Sequence, residues 1–428
     1  MEDILPGDSE KWQWLEKKTR SFFGSRSFCE IRTPILEPTE LFTRSIGETT
    51  DIVHKEMYTF KDRGERSMTM RPEMTASVAR SVLEHGLLKT SKAPALYYTG
   101  PMFRAERPQA GRKRQFHQIG AELINLTREG EPYYADFLII KALADFLEHL
   151  RVKNVRFRLN DLTLINGAQA ETVRAQLRAY FENHKNALDP DSVYRLDKNV
   201  LRIFDSKIPE TRALIRNVPW DAISPYSADF KALVSSLELL CPGVTFELDR
   251  TLVRGLDYYT GVVFEVASGA LGAQDALAGG GRYDRLYEEL GGPATPCTGF
   301  SIGMERLLMV LDKNSPSVHE QMNAKKIYVL AMVDDVLVQN DVRNAAMRLC
   351  EQGFYPIVPF EVMNLSLGEH LKRAHKAGAA FAVIRGDTEA QKNGWTLKNL
   401  NTREQTFAGS EKELFSMLTL KTEESHLL

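Results

Sequence analysis

A chain of 428 residues is too long for one ordinary core, and its 43% hydrophobic and 26% charged content is that of a globular protein, not a disordered one. A formal charge of -2 excludes a generally basic nucleic-acid binder and leaves any polyanion to be met by a local cationic surface. Cys29, Cys241, Cys297 and Cys350 are far apart, with no CxxC pair or zinc spacing, and no signal-peptide pattern or membrane-length apolar run is present, so a soluble, reduced, metal-free cytoplasmic chain with no membrane partner is expected.

From Asp8 to Phe28, the residues Trp12, Leu15, Phe22 and Phe23 form an imperfect helical stripe that ends near Gly24. Pro34 and Pro38 in EIRTPILEPTELF place the next segment at a sheet edge or an interface, because proline cannot donate to a central ladder. Arg44 to Phe60 reads mostly as loop, leading into a hairpin of MYTF and SMTM at Ser67 to Met70. Arg71-Pro72-Glu73 opens a helix with Val78, Val82 and Leu83 on its buried stripe, and Glu73 and Thr75 read first as helix-start residues.

Tyr97 to Glu122, YYTGPMFRAERPQAGRKRQFHQIGAE, is read as two strands joined by a cationic loop. Arg104, Arg107, Arg112 and Arg114 carry planar forked donors that suit phosphate, although a solvated charge run is the plainer reading of such a loop alone. A helix follows from Tyr133 to Leu150, then a strand at Val155 to Asn160. Between Asp161 and Pro242 the chain turns helical and charged, with helices at Ala168 to His184 and Ala228 to Leu240, and is expected to be an inserted module with a surface role. LVRGLDYYTGVVFEV brings Arg254, Asp257, Tyr258 and Tyr259 to strand ends, or else places aromatic residues in a core beside a turn. Gly279-Gly280-Gly281 permits close backbone approach but lacks P-loop order. TGFSIGMERLLMVL is a strand passing into an apolar helix, where Arg306 needs a partner. After a linker at Lys313 to Lys325, a βαβαβ rhythm predicts a small α/β domain.

In order, these stations resemble a class II aminoacyl-tRNA synthetase, and within that class the histidyl-tRNA synthetases. Arg32-Thr33-Pro34-Ile35 resembles the class's first motif, Phe103-Arg104-Ala105-Glu106 with its loop to Phe116 the second, and Gly303-Met304-Glu305-Arg306 the third. LVRGLDYYTG at 252 to 261 and AGGGRYD at 278 to 284 resemble the two segments peculiar to the histidine enzymes, and the likeness spans essentially the whole chain.

The resemblance implies an α+β fold: an antiparallel sheet of six or seven strands with flanking helices, interrupted by a helical insertion and followed by an α/β anticodon-binding domain. The catalytic domain would comprise residues 1–160 and 243–312, the insertion 161–242, the linker 313–325 and the anticodon-binding domain 326–428. It further implies a homodimer that activates histidine with ATP and Mg2+ and passes the histidyl group to the 3′ end of tRNA(His). Arg104 and Arg254 would act at the α-phosphate, Glu106, Arg112, Phe116 and Arg306 would complete the ATP site, and Glu73, Thr75, Gln118, Glu122, Arg254, Tyr258 and Tyr259 would hold histidine. Gln109 and Lys113 are positioned in the loop to touch the acceptor end of the tRNA. Met74 stands where many relatives have Gly, and either narrows the amino-group pocket or faces the core. Ser366-Leu367 precede Gly368 and Glu369 where the family often has Lys, so anticodon contacts do not carry over there. The alternative is a non-catalytic relative: a regulatory subunit of ATP phosphoribosyltransferase, which predicts loss of the C-terminal domain and erosion of the arginines, or an RNA-binding module, which predicts a basic surface but no need for Glu122 and Tyr259 near those arginines.

Overall fold

The structure, a computed structural model, describes residues 2–47, 50, 52–91, 94–107, 111–166, 170–206, 208–252, 258–272, 275–314, 323, 325–359 and 365–424. The chain divides into two compact units, Met1–Ser315 and Pro316–Leu428.

The first unit is built on an eight-stranded sheet in the order Cys29–Glu30, Ala95–Phe103, Gln115–Ile124, Cys297–Gly303, Ala276–Arg282, Val262–Ser268, Val155–Asp161, Thr245–Leu248. The six inner strands pair antiparallel. The short strand at each edge pairs parallel, which extends the expected six or seven antiparallel strands into a mixed sheet. Helices Asp8–Gly24 and Tyr134–His149 carry Phe22, Phe23 and Phe146, fully or almost fully buried and packed ring to ring, so the helical stripes in the sequence become the cover of one sheet face.

The proline-bracketed segment occupies edges, as its prolines require: Cys29–Glu30 borders the main sheet, and Leu36–Pro38 borders a separate three-stranded sheet. Helix Thr39–Ile46 takes over the end of the proline-bracketed segment and the start of the stretch that reads as loop, and the wide helical turn Ile52–Glu56 replaces part of the rest, with Leu41, Phe42 and Ile46 forming a small core with Ala76. The next helix starts at Thr75, not at Arg71. Arg71 is buried and donates to the carbonyls of Thr33, Pro34 and Pro101, an arrangement that holds it outside a helical turn. Met74 is buried in the hydrophobic cluster with Val78 and Tyr98 and thus faces the core.

The helical segment after Asp161 departs from the surface role expected of it. Its Leu177, Phe181 and Leu196 belong to the same hydrophobic cluster as Tyr258, Tyr259 and Tyr283. Its helix Pro190–Lys198 starts at Asp189, whose carboxylate accepts from the Ser192 amide and from the hydroxyls of Ser192, Ser206 and Thr211.

The second unit has a five-stranded sheet in the order Tyr355–Ile357, Lys326–Ala331, Phe381–Arg385, Trp395–Asn399, Gln405–Ala408. The first three strands are parallel, and helices Val336–Glu351, Leu367–Lys376 and Glu411–Glu424 complete the α/β domain. The strand Gln405–Ala408 and the last helix extend the predicted βαβαβ rhythm. Ser366 and Glu369 form a reciprocal capping box, which gives Glu369 a structural task at the point where the family pattern is broken.

Candidate active site

The two strands Ala95–Phe103 and Gln115–Ile124 pair from Ala95 opposite Leu123 to Phe103 opposite Gln115, and the Arg104 amide extends the ladder to the Arg114 carbonyl at 2.9 Å. Strand alternation places Phe116, Gln118, Gly120 and Glu122 on one face. That face floors a cleft of about 1160 Å³, whose walls also include Glu73, Thr75, Arg104, Arg306, Tyr258 and Tyr259.

Two glycines give the floor its depth. A Cβ at Gly120 would lie 2.2 Å from the Tyr98 ring on the neighbouring strand, and a Cβ at Gly299 would lie 1.6 Å from Glu122 Oε2. Tyr98 and Glu122 therefore occupy space that only glycine leaves open across the sheet. The triple glycine works the same way: a Cβ at Gly280 would meet the Gly299 carbonyl at 2.1 Å, and one at Gly281 would meet the Tyr259 ring at 2.9 Å. Gly280 and Gly281 thus serve close packing within a central strand, while Gly279 lines the cleft.

The closed end of the cleft is centred on Glu122, which is 1% exposed. Thr75 donates its hydroxyl to Oε1 at 3.0 Å and Tyr283 donates to Oε2 at 2.6 Å. Burial pushes this carboxyl up to about 8, against the two hydroxyl donors, which favour its ionised form. Glu73 is buried beside it, and burial raises its pKa too. The Glu73 carboxylate accepts from the amides of Thr75 at 2.7 Å and Ala76 at 2.9 Å, so the helix-start role read from the sequence is present in the structure. Tyr258 and Tyr259 are buried and pack edge to face with centroids 4.8 Å apart. Gln118 is also buried, and its Oε1 has no hydrogen-bond partner among the described residues. An acceptor left so beside a carboxylate and several phenols suits a small polar ligand carrying N–H groups.

The open end is cationic. Arg104 donates to the Pro72 carbonyl at 2.9 Å, and its guanidinium lies 5.3 Å from the Phe116 ring centre. Glu106 sits 3.3 Å from Arg112 and 3.9 Å from Arg104, a carboxylate between two guanidiniums. Arg306 supplies the partners its position demanded, donating to the Gly111 carbonyl at 3.1 Å and to the Ala276 carbonyl. Burial and the neighbouring Arg112 charge lower the Arg306 pKa, a cost that an anion bound between them would relieve. Lys113 reaches Glu2 at 2.7 Å. Arg254 and Gln109 lie outside the described residues.

The structure thus gathers Glu73, Thr75, Arg104, Glu106, Arg112, Lys113, Phe116, Gln118, Glu122, Tyr258, Tyr259 and Arg306 around one cleft. Sequence reasoning passed over Tyr283, the hydroxyl closest to Glu122, which stood in the quoted AGGGRYD segment without a role. It also passed over Glu265, a lone carboxylate in the apolar strand VVFEVAS that lines the cleft and pairs with Arg158. That isolation among apolar neighbours was the signal available. Asp191, Tyr194, Arg195, Lys198 and Arg202 of the helical segment also line the cleft.

An antiparallel sheet that carries arginines at one end of a cleft and a buried acidic pocket at the other is the arrangement expected of a class II aminoacyl-tRNA synthetase. Residues 1–307 match the family model described as histidyl-tRNA synthetase, and residues 326–419 match the anticodon binding domain. The chain belongs to the histidyl-tRNA synthetase family. It is 41% identical over 405 residues to the histidine--tRNA ligase of Synechococcus elongatus, covering 94% of this chain and 90% of the relative. It resembles the structure of apo S. aureus histidyl-tRNA synthetase with a TM-score of 0.70 and 29% identity, covering 99% of this chain and 98% of that one. At the level of fold alone it also resembles a Bacillus halodurans protein titled as an ATP phosphoribosyltransferase regulatory subunit/histidyl-tRNA synthetase, with a TM-score of 0.59 and 19% identity over 90% of this chain and 97% of the other.

Proposed function

We propose that this protein is a histidine-tRNA ligase, which joins histidine to ATP as histidyl-adenylate, releases pyrophosphate, and passes the histidyl group to the terminal adenosine of tRNA(His). The observation that carries the reading is the division of one cleft into an arginine-lined end and a closed end built around Glu122. Attack of the histidine carboxylate on the α-phosphorus builds negative charge on phosphate oxygens, and alignment with fixed positive charge accelerates such a transfer without a side-chain nucleophile.

In this reading Arg104 grips the α-phosphate and the attacking carboxylate, with Arg254 reaching the same phosphate from the other side. Arg112 and Arg306 hold the outer phosphates, Phe116 stacks on adenine, and Glu106 reads its amino group or orients the loop. ATP enters with its magnesium ion as substrate. Glu122 and Tyr259 bond the two imidazole nitrogens, and a site built from such bonds rejects analogues that lack them. Glu73, Thr75 and Gln118 receive the amino and carboxylate groups, and Tyr258 packs behind Tyr259. For Glu73 this requires leaving, or sharing, the helix amides it now accepts from. Lys113 and Gln109 lie near the tRNA acceptor end, the second unit takes the anticodon, and the proline-bearing edge forms the homodimer contact. Among the described residues no helix is long and apolar enough to cross a membrane.

The non-catalytic alternative is less well supported, because Arg104, Arg112, Arg254, Arg306 and the C-terminal domain are all retained. Purified protein with histidine and Mg-ATP should catalyse histidine-dependent exchange of pyrophosphate into ATP, and exchange at background would overturn the proposal. Charging assays with histidine and the other amino acids then test the choice of substrate, and sedimentation tests the dimer.

A further inference from the structure

The strand Gln115–Ile124 has a neighbour, Cys297–Gly303, along most of its length, from Cys297 opposite Ile124 to Gly303 opposite Gln118. There the neighbour stops and turns into helix Met304–Asn314, so the next amide of the floor strand, that of His117, passes the end of the ladder. A backbone donor at such a place needs another acceptor. Glu305 provides one: both carboxylate oxygens lie within hydrogen-bond distance of the His117 amide, at 3.1 and 3.0 Å. The same carboxylate is 3.2 Å from Nδ1 of the His117 ring, and Trp12 of the N-terminal helix packs edge-on against that ring with centroids 4.7 Å apart. Glu305 is itself 9% exposed. The neighbouring Arg306 donates to the Gly111 carbonyl at 3.1 Å. Consecutive residues at the start of one helix therefore hold both the loop and the strand that follows it.

We propose that Glu305 is a positioning residue, which acts through His117 to fix Phe116 and Gln118 in the cleft. His117 lies between these two, and strand alternation turns it to the opposite face, so a shift of its backbone shifts both cleft-facing side chains. The proposal rests on reading the cleft as the ATP and histidine site. Glu305→Ala removes the acceptor, Glu305→Asp withdraws it by one methylene, and Glu305→Gln keeps a carbonyl oxygen for the amide while losing the charge.

The test combines exchange kinetics with hydrogen-deuterium exchange over the peptide spanning residues 115–124. Glu305→Ala and Glu305→Asp should raise KM for ATP by ~10-fold or more with a smaller change in kcat, and the His117 amide should lose protection. Glu305→Gln should keep the protection and stay within ~3-fold of the unsubstituted protein. An Ala variant with unchanged KM for ATP and unchanged amide protection would overturn the proposal. So would a Gln variant that retains protection yet is as impaired as Ala, because the charge would then act on substrate directly. If the Ala variant does not fold, the Asp and Gln pair decides by the same readouts. Absence of histidine-dependent exchange in the unsubstituted protein would instead count against the functional reading, and the amide comparison would still report on the clamp.

Discussion

Gly299→Ala is the smallest change that should separate the two ends of the cleft. The added methyl would lie 1.6 Å from Glu122 Oε2, 2.6 Å from its Cδ and 2.8 Å from the Ala121 carbonyl, so the contact cannot be relieved by a slight rotamer change. Glu122 is held from two sides, by Thr75 at 3.0 Å and Tyr283 at 2.6 Å, and swinging it away breaks both bonds. Each hydrogen bond given up is worth about 0.5–1.5 kcal/mol, and a buried polar group left unsatisfied costs about 1–3 kcal/mol. A contact of 1.6 Å leaves no overpacked arrangement in place, so the carboxyl is displaced, and the unsatisfied groups this leaves in the histidine pocket, about 2.7 kcal/mol, correspond to a ~100-fold rise in KM for histidine. KM for ATP should stay within ~3-fold, since the arginines are not touched. Exchange assays titrated separately in histidine and ATP, with a thermal melt as control, measure this split. A variant that melts like the unsubstituted protein and keeps its KM for histidine would refute the account of the pocket floor.

Further outcomes follow from the same carboxylate and its neighbours. Burial keeps Glu122 protonated up to about 8, whereas an unfolded carboxyl ionises near 4.5, so across that window unfolding releases a proton and stability falls as pH rises. Glu122→Gln should flatten this slope, by at most ~1.4 kcal/mol per pH unit, in denaturant melts taken between about pH 5 and about pH 8, and an identical slope would contradict the assignment. In exchange assays the same variant should weaken histidine binding with near-normal ATP binding; equal loss of both would point to misfolding. Tyr283→Phe leaves a buried carboxylate oxygen without its donor, so KM for histidine should rise by ~10-fold or more with KM for ATP unchanged, and equal effects on both would argue against a role specific to histidine. Arg254→His should slow adenylation by at least ~100-fold in single-turnover assays, and an unchanged rate would remove Arg254 from the phosphate-binding set.

The floor hairpin was readable in the sequence because two alternating apolar runs bracket a cationic turn, a local pattern. What it faces was not local. Tyr283 meets Glu122 across 161 positions of sequence, and only the strand order that places Cys297–Gly303 between their strands brings them together. The glycines could be counted in the sequence but not interpreted, since Gly299 matters through a side chain on another strand. Helix Thr39–Ile46 was missed because Pro34 and Pro38 dominated the reading of its surroundings, although its buried Leu41, Phe42, Ser45 and Ile46 do mark one helical face. The segment after Asp161 looked peripheral because its charged residues hid a stripe of Leu and Phe that merges with the central core.

That segment leaves the sheet from strand Val155–Asp161 and returns by strand Thr245–Leu248, which lies alongside it in parallel, with Arg156 opposite Thr245. Departure and return therefore fall at opposite ends of neighbouring strands, a separation of roughly 17 Å at about 3.3 Å per residue. A truncation that joined Asp161 to Thr245 with a short turn would force one strand to reverse, because parallel neighbours cannot be linked as a hairpin. Anyone trimming this protein to a minimal catalytic core would need a linker able to traverse the sheet face and a new apolar cover for what the helices leave bare.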